Sequence, residues 1–175
     1  MTRAIYPATF DPITWGHVDI ATRAAALFDE LCVGVYDRSL KNLLFSAEER
    51  WQMTAETLAH LKNVQVLRYR GMTVDFARER NAAVMVRGLR AISDFEWEFQ
   101  LAHTNHSLVP GIDTICLMAS QKYSFLSSSM VKEVAFAGGD ISEMVPPNVV
   151  VPLLRRICEL GGDCCDQVEM VSLRD

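Results

Sequence analysis

Positive charge is the first thing this chain is short of: 17 lysines and arginines stand against 22 aspartates and glutamates, a net charge of −5 at neutral pH. That balance excludes the broad basic footprint of a nucleic-acid or anionic-membrane binder and makes any local cluster of cations informative. Long hydrophobic runs are missing too. No stretch approaches the roughly 20 apolar residues of a membrane span, and the N-terminus reads as a strand running into polar turn chemistry rather than as a signal peptide. The cysteines, Cys32, Cys116, Cys158, Cys164 and Cys165, are odd in number and lack paired C-x-x-C spacing, and no histidine follows Pro110. Zinc is therefore not expected, and free thiols in a reducing cytoplasm are. Cys32 and Cys116 fall inside apolar runs and are expected to be buried. The absence of G-x-G-x-x-G after the first strand weighs against a dinucleotide dehydrogenase. The missing Walker G-x-x-x-x-G-K-[ST] weighs against a P-loop kinase, and the missing G-x-S-x-G against an α/β-hydrolase.

What is present is a chain of 175 residues, half of them hydrophobic, enough for one domain with a full core. Strands are predicted at Arg3–Pro7, Leu31–Tyr36, Val64–Tyr69, Ala83–Arg87 and Thr114–Met118. Helices are predicted at about 17–28, 46–60, 73–80 and 93–108, from Ser128 onward, and at about 149–160, after the break at Pro146-Pro147. Ser46-x-x-Glu49 and Ser93-x-x-Glu96 have the form of capping boxes. Continuous apolar strands interleaved with helices predict an α/β, Rossmann-like doubly wound parallel sheet of five strands, order 3-2-1-4-5, with helices on both faces. The domain is expected to span 1–158, with 159–175 a loosely attached tail.

Two segments point at one place in such a fold, the crevice at the strand ends where the winding reverses, and a third offers another anion-binding helix start. Thr9-Phe10-Asp11-Pro12 followed by Thr14-x-Gly16-His17 joins strand one to helix one, with Thr14 as N-cap and His17 in the first turn. A helix N-terminus offers free N–H groups to phosphate and disfavours an imidazolium, whereas a bound polyphosphate favours one, so the charge of His17 stays open. Arg87-Gly88-Leu89-Arg90 follows the neighbouring fourth strand, where arginine forks suit phosphate oxygens. Tyr123-Ser124-Phe125-Leu126-Ser127-Ser128-Ser129 leads into another helix start. Lys41 sits in the loop after strand two, within reach of a transferring phosphoryl group. Trp97 and Glu98 read as packing and solvent-facing residues unless the crevice extends over them. No carboxylate pair and no obvious nucleophile accompanies these segments, so the chemistry expected here is positioning and charge stabilisation.

Four blocks in order, Y-P-x-T-F-D-P-I-T-x-G-H at 6–17, R-G-L-R at 87–90, D-F-E-W-E at 94–98 and S-F-L-S-S-S-x-V-K-E at 124–133, carry a family resemblance. From about Arg3 to Arg156 the chain resembles the bacterial phosphopantetheine adenylyltransferases, of the nucleotidylyltransferase superfamily with its T/H-x-G-H signature. The resemblance implies adenylyl transfer from ATP, with Mg²⁺, to 4′-phosphopantetheine, giving dephospho-CoA and pyrophosphate in the penultimate step of coenzyme A synthesis. The acceptor phosphate would attack in line with no general base. By resemblance His17 contacts the α-phosphate, Thr9 lies between donor and acceptor, Lys41 and Arg87 bind the acceptor side, and Arg90 holds ATP phosphates. The backbones of Phe10, Gly88 and Leu89, with Glu98 and the run Tyr123–Ser129, complete the nucleotide site, and Thr73 touches the pantetheine arm. The resemblance also implies a hexamer and dephospho-CoA or CoA as product or feedback ligand. Ala8 stands where that family usually has glycine, Trp15 replaces a common asparagine, Leu40 is more apolar than usual, and the Cys-rich tail has no counterpart. Another nucleotidyltransferase of the superfamily, or a nucleotide-binding regulatory module, remain alternatives that a pyrophosphate assay separates.

Overall fold

Strands form at Arg3–Ala8 (β1), Glu30–Tyr36 (β2), Val64–Tyr69 (β3), Val84–Leu89 (β4) and Asp113–Met118 (β5) in the computed structural model, which describes residues 2–37 and 43–163. Helices span Trp15–Leu27 (α1), Ala47–Leu58 (α2), Thr73–Glu79 (α3), Ile92–Leu108 (α4), Ser128–Phe136 (α5) and Pro147–Glu159 (α6), with a 3₁₀ turn at Gln121–Tyr123. Every strand pair is parallel and the order is β3-β2-β1-β4-β5, as the sequence predicts. Alternation along the strands sorts the core to two faces. Ala4, Tyr6, Leu31, Val33 and Val35 pack with the apolar stripes of α1, α2, α5 and α6, while Ile5, Cys32, Tyr69 and Met85 pack with Val74, Phe76 and Ala77 of α3.

On the α3 face the Tyr69 and Phe76 rings stack with centroids 4.4 Å apart and planes 13° from parallel. They lie directly over Gly34, where an added Cβ would sit 2.6 Å from Phe76 Cε1 and 3.0 Å from Tyr69 Cε1. Gly34→Ala is therefore expected to cost about 1–3 kcal/mol in a urea melt, the usual range for overpacking a filled core. An unchanged midpoint would show that the rings yield freely.

The sheet is not sewn evenly. β1 pairs with β2 along its whole length, from Arg3↔Glu30 to Ala8↔Val35, but with β4 only at Ala4↔Val84 and Ile5↔Met85. Pro7 has no N–H with which to extend a ladder. The C-terminal ends of β1 and β4 consequently part, and the space between them is the crevice the topology calls for.

Several local expectations need correction. β4 runs to Leu89 rather than stopping at Arg87, because β5 continues to pair it through Gly88↔Leu117 and Leu89↔Met118, so Arg87-Gly88-Leu89 belongs to the strand. The Ser46/Glu49 capping box forms, with Glu49 N–H on Ser46 Oγ at 3.2 Å and Ser46 N–H on Glu49 Oε2 at 2.8 Å. The Ser93/Glu96 box does not. The N-cap of α4 is Ala91, placing Ser93 inside the helix, and the acceptor at this end is Asp94, which takes the Arg90 N–H at 3.0 Å. Pro147 opens α6 instead of breaking the chain before it, since its fixed φ and missing N–H suit a first helical position. Cys32 is buried as expected, but Cys116 is exposed, because β5 is the edge strand and α4 covers it thinly. Cys164 and Cys165 lie outside the described residues.

Candidate active site

Where β1 and β4 part lies an open cleft of about 570 Å³. Its floor is the end of β1 and the turn after it, Tyr6 to Asp11, and one wall is the start of α1 with Thr14, Gly16 and His17. The opposite wall is Arg87 and Gly88 of β4, then Arg90, with Asp94, Trp97 and Glu98 of α4. Tyr123, Leu126 to Ser129 and Lys132 close the third side. The segments after β1 and at the end of β4 are thus brought together as the strand order predicts, and the segment before α5 joins them as the resemblance implies.

His17 is held by the helix it opens. Thr14, extended at φ −124° and ψ 165°, is the N-cap, and its N–H donates to His17 Nδ1 at 3.0 Å, with Thr14 Oγ1 also 3.0 Å from that nitrogen. A ring nitrogen that accepts from an amide does not carry the proton, so the neutral tautomer has its hydrogen on Nε2. Phe10 packs edge-on to the imidazole, centroids 5.1 Å apart. Burial, helped by the Arg90 and Arg87 cations, lowers the His17 pKa from 6.5 to about 4. The charge left open by the sequence is thereby assigned for the free protein: a neutral ring with Nε2–H available to a ligand.

This assignment has two measurable consequences. Nitrogen NMR at pH 7 should show the Nε2–H tautomer for His17, with protonation delayed until the pH nears about 4; a midpoint near 6.5 would overturn it. Because the folded-state pKa lies below the unfolded one, the unfolded chain takes up a proton that the native ring refuses. The corresponding stability is fully present above about pH 6.5 and is lost as pH falls toward about 4.

The two arginines are steadied by carboxylates. Arg87 donates from Nε and Nη2 to both oxygens of Glu98, at 2.7 and 2.6 Å, and from Nη1 to the Pro7 carbonyl at 2.8 Å. Burial works against the Arg87 charge, but the Glu98 carboxylate prevails and raises its pKa. Glu98 is accordingly buried rather than solvent-facing, whereas Trp97, 65% exposed, rims the mouth. Arg90 grips Asp94 through Nε and Nη2 at 3.1 and 3.2 Å and reaches the Leu126 carbonyl through Nη1 at 3.1 Å, tying β4 to the segment before α5. Each guanidinium keeps unused N–H donors on its terminal nitrogens.

Other expected residues fall less centrally. Leu89 is buried at the strand end, Ser124 Oγ donates to the Gln121 carbonyl at 3.0 Å, and Phe125 is exposed; none of the three lines the cleft. Thr73, at the start of α3, lies 3.1 Å by its Oγ1 from Tyr69 Oη, and Tyr69 is the one of that pair on the cleft wall. Lys41 lies outside the described residues.

The structure adds residues that the sequence reading left without a role. Asp11, 3% exposed, accepts the Leu44 N–H at 3.1 and 3.0 Å, the Phe45 N–H at 3.0 Å and the Lys132 ammonium at 2.9 Å. Lys132 follows Ser128 by four residues, so the two share a face of α5, and Ser128 Oγ bonds the Pro12 carbonyl at 2.8 Å. That spacing was the available signal for Lys132. Tyr6 is buried beneath the cleft, where burial raises its pKa and keeps the phenol neutral.

Comparison with known proteins agrees with this geometry. Residues 5–134 match the family model described as "Cytidylyltransferase-like". The chain is 54% identical over 153 residues to the phosphopantetheine adenylyltransferase of Herpetosiphon aurantiacus, covering 87% of this chain and 93% of that protein. It is 53% identical over 157 residues to that of Thermomicrobium roseum (88% and 94% covered) and 46% identical over 162 residues to that of Burkholderia vietnamiensis (93% and 98% covered). The fold matches the crystal structure of a putative nicotinate-nucleotide adenylyltransferase from Vibrio parahaemolyticus, with a TM-score of 0.68 at 19% identity over 90% of this chain and 95% of that one. With a family model spanning most of the chain and relatives above half identity along nearly their full length, the chain belongs to the cytidylyltransferase-like family, among its phosphopantetheine adenylyltransferases.

Proposed function

We propose that this protein transfers the adenylyl group of ATP to 4′-phosphopantetheine, forming dephospho-CoA and pyrophosphate, the penultimate step of coenzyme A synthesis. The observation that carries this reading is the meeting, at the parted ends of β1 and β4, of a neutral Nε2–H imidazole with Arg87, Arg90 and Lys132, in a chain that shares about half its residues with phosphopantetheine adenylyltransferases. An oxygen of the acceptor phosphate bonds to the α-phosphorus as the bond to the β-phosphate bridging oxygen breaks, and pyrophosphate leaves with that electron pair. An ionised phosphate is already nucleophilic, so no side chain has to remove a proton. The work left to the protein is alignment and stabilisation of charge on the transferring group.

In this reading His17 Nε2–H donates to a non-bridging oxygen of the α-phosphate and Arg90 steadies the ATP phosphates. Thr9 sits between donor and acceptor, and Lys41 and Arg87 take the acceptor phosphate. The backbones of Phe10, Gly88 and Leu89, with Glu98 and Tyr123–Ser129, border the nucleotide, and Thr73 borders the pantetheine arm. Mg²⁺ enters as the counter-ion of ATP. Asp11, Asp94 and Glu98, the carboxylates on the cleft wall, are each engaged by cations or N–H groups.

Self-association into a hexamer belongs to the same proposal. It is supported by the apolar surface that α4 and β5 leave uncovered: Ile92, Phe95, Phe99 and Met118 are all exposed. No helix among the described residues is long and apolar enough to cross a membrane, and a cytoplasmic location is proposed with the pathway. CoA itself is a candidate feedback ligand, and the catalytic domain is taken to span 1–158. The deciding experiment is pyrophosphate release requiring both ATP and 4′-phosphopantetheine. Release with a different phosphate acceptor would point to another nucleotidyltransferase, and ATP binding without release with any acceptor to a regulatory module.

A further inference from the structure

Behind the cleft, outside its lining, lies a buried cation that the reaction as described leaves idle. Arg50, on α2, is 1% exposed, and among the described residues its hydrogen bonds go to main-chain carbonyls alone. Nη1 donates to the Thr9 carbonyl at 2.6 Å and to the Tyr36 carbonyl at 2.8 Å, and Nε donates to the Phe45 carbonyl at 3.2 Å. One guanidinium therefore joins the end of β1, the end of β2 and the approach to α2. Burying an arginine on carbonyls is costly unless each contact is good, and a solvent-facing arginine on an amphipathic helix would serve α2 equally well. The position has to be explained by what it holds.

What it holds most tightly is the peptide between Thr9 and Phe10. Phe10 sits at φ 51°, a left-handed conformation that disfavours a bulky side chain and persists only where its surroundings impose it. The carbonyl of that peptide belongs to Thr9 and is gripped by Arg50. The N–H at its other end belongs to Phe10, on the cleft floor, and has no partner among the described residues. A charged donor on the carbonyl fixes the rotation of the peptide plane and polarises it, which makes the opposite N–H a stronger donor.

We propose that Arg50 is a positioning residue of the reaction, locking and polarising the Thr9–Phe10 peptide from behind so that the Phe10 N–H is presented to a phosphate of the nucleotide. The identity of the ligand rests on the function proposed above; the arrangement of the peptide does not. Arg50→Lys keeps the charge but not the fork, and Arg50→Met keeps neither. In either variant, once melting curves establish a folded protein, the Kd for Mg-ATP measured calorimetrically without acceptor should rise about tenfold. Turnover should fall at least as much, with the KM for phosphopantetheine within about twofold of the parent.

Amide NMR gives a readout that general destabilisation does not move. In the parent protein the Phe10 proton should lie downfield and shift further on adding Mg-ATP, and in Arg50→Lys it should move back upfield. A folded Arg50→Lys that binds ATP and turns over within about twofold of the parent overturns the proposal. So does a Phe10 amide in the parent that ignores ATP, and that measurement decides the matter if neither variant folds. Should the parent release no pyrophosphate with phosphopantetheine, the functional reading fails, while ATP affinity and the Phe10 amide still test Arg50.

Discussion

Replacing His17 with alanine should cut turnover by at least about 100- to 1,000-fold, the usual loss when one preorganised donor to a developing anion is removed. The effect should fall on kcat far more than on the KM for ATP, because a neutral N–H adds little to ground-state binding beside the Arg90 guanidinium. The fold should persist. Alanine is a good helix former, and the Thr14 N–H and hydroxyl that lose Nδ1 lie at a helix start on the cleft wall, where water can take the place of the ring. His17→Asn should recover part of the loss, since its amide can still donate. Pyrophosphate release under saturating substrates is the measurement, and near-normal turnover in the alanine variant would remove His17 from the chemistry.

Asp11→Ala should be the most damaging single change to stability around the cleft, costing about 3 kcal/mol in chemical denaturation. Its carboxylate takes two backbone N–H groups, of Leu44 and Phe45, and the Lys132 ammonium, all of which lose their acceptor at once. Lys132 is partly exposed and recovers some solvation, which keeps the figure at the lower end of the range for broken buried pairs. Asp11→Asn should recover little, because its amide turns a donor toward donors. A loss below about 1 kcal/mol would mean that Asp11 is not the anchor of these segments.

The architecture was legible because its causes are local or periodic. Val64–Tyr69 forms as predicted, and the sheet order follows from parallel strands joined by helices. His17 and the two arginines could be placed in one crevice because topology alone puts β1 beside β4. Errors arose where two local patterns competed. Ser93 with Glu96 matched a capping box, whereas the helix starts from Ala91 and Asp94 takes the Arg90 N–H. Whether Glu98 faced solvent or the crevice stayed open, because its partner, Arg87, lies on another element. Asp11 and Lys132 are separated by 121 positions, and no spacing rule connects them. Arg50 was the least visible, since an arginine in an amphipathic stretch ordinarily faces water.

The short seam between β1 and β4 has a mechanical consequence. Two registered pairs join a plate of three strands to a plate of two, and beyond them the Arg87 bond to the Pro7 carbonyl acts as a single stitch across the gap. A molecule gripped by Thr9 and His17 on one plate and by Arg87 and Arg90 on the other closes the seam like a clasp. Occupancy of the proposed site would then stiffen the sheet along its shortest ladder, and the opening between the plates would also be the part that a bound molecule braces.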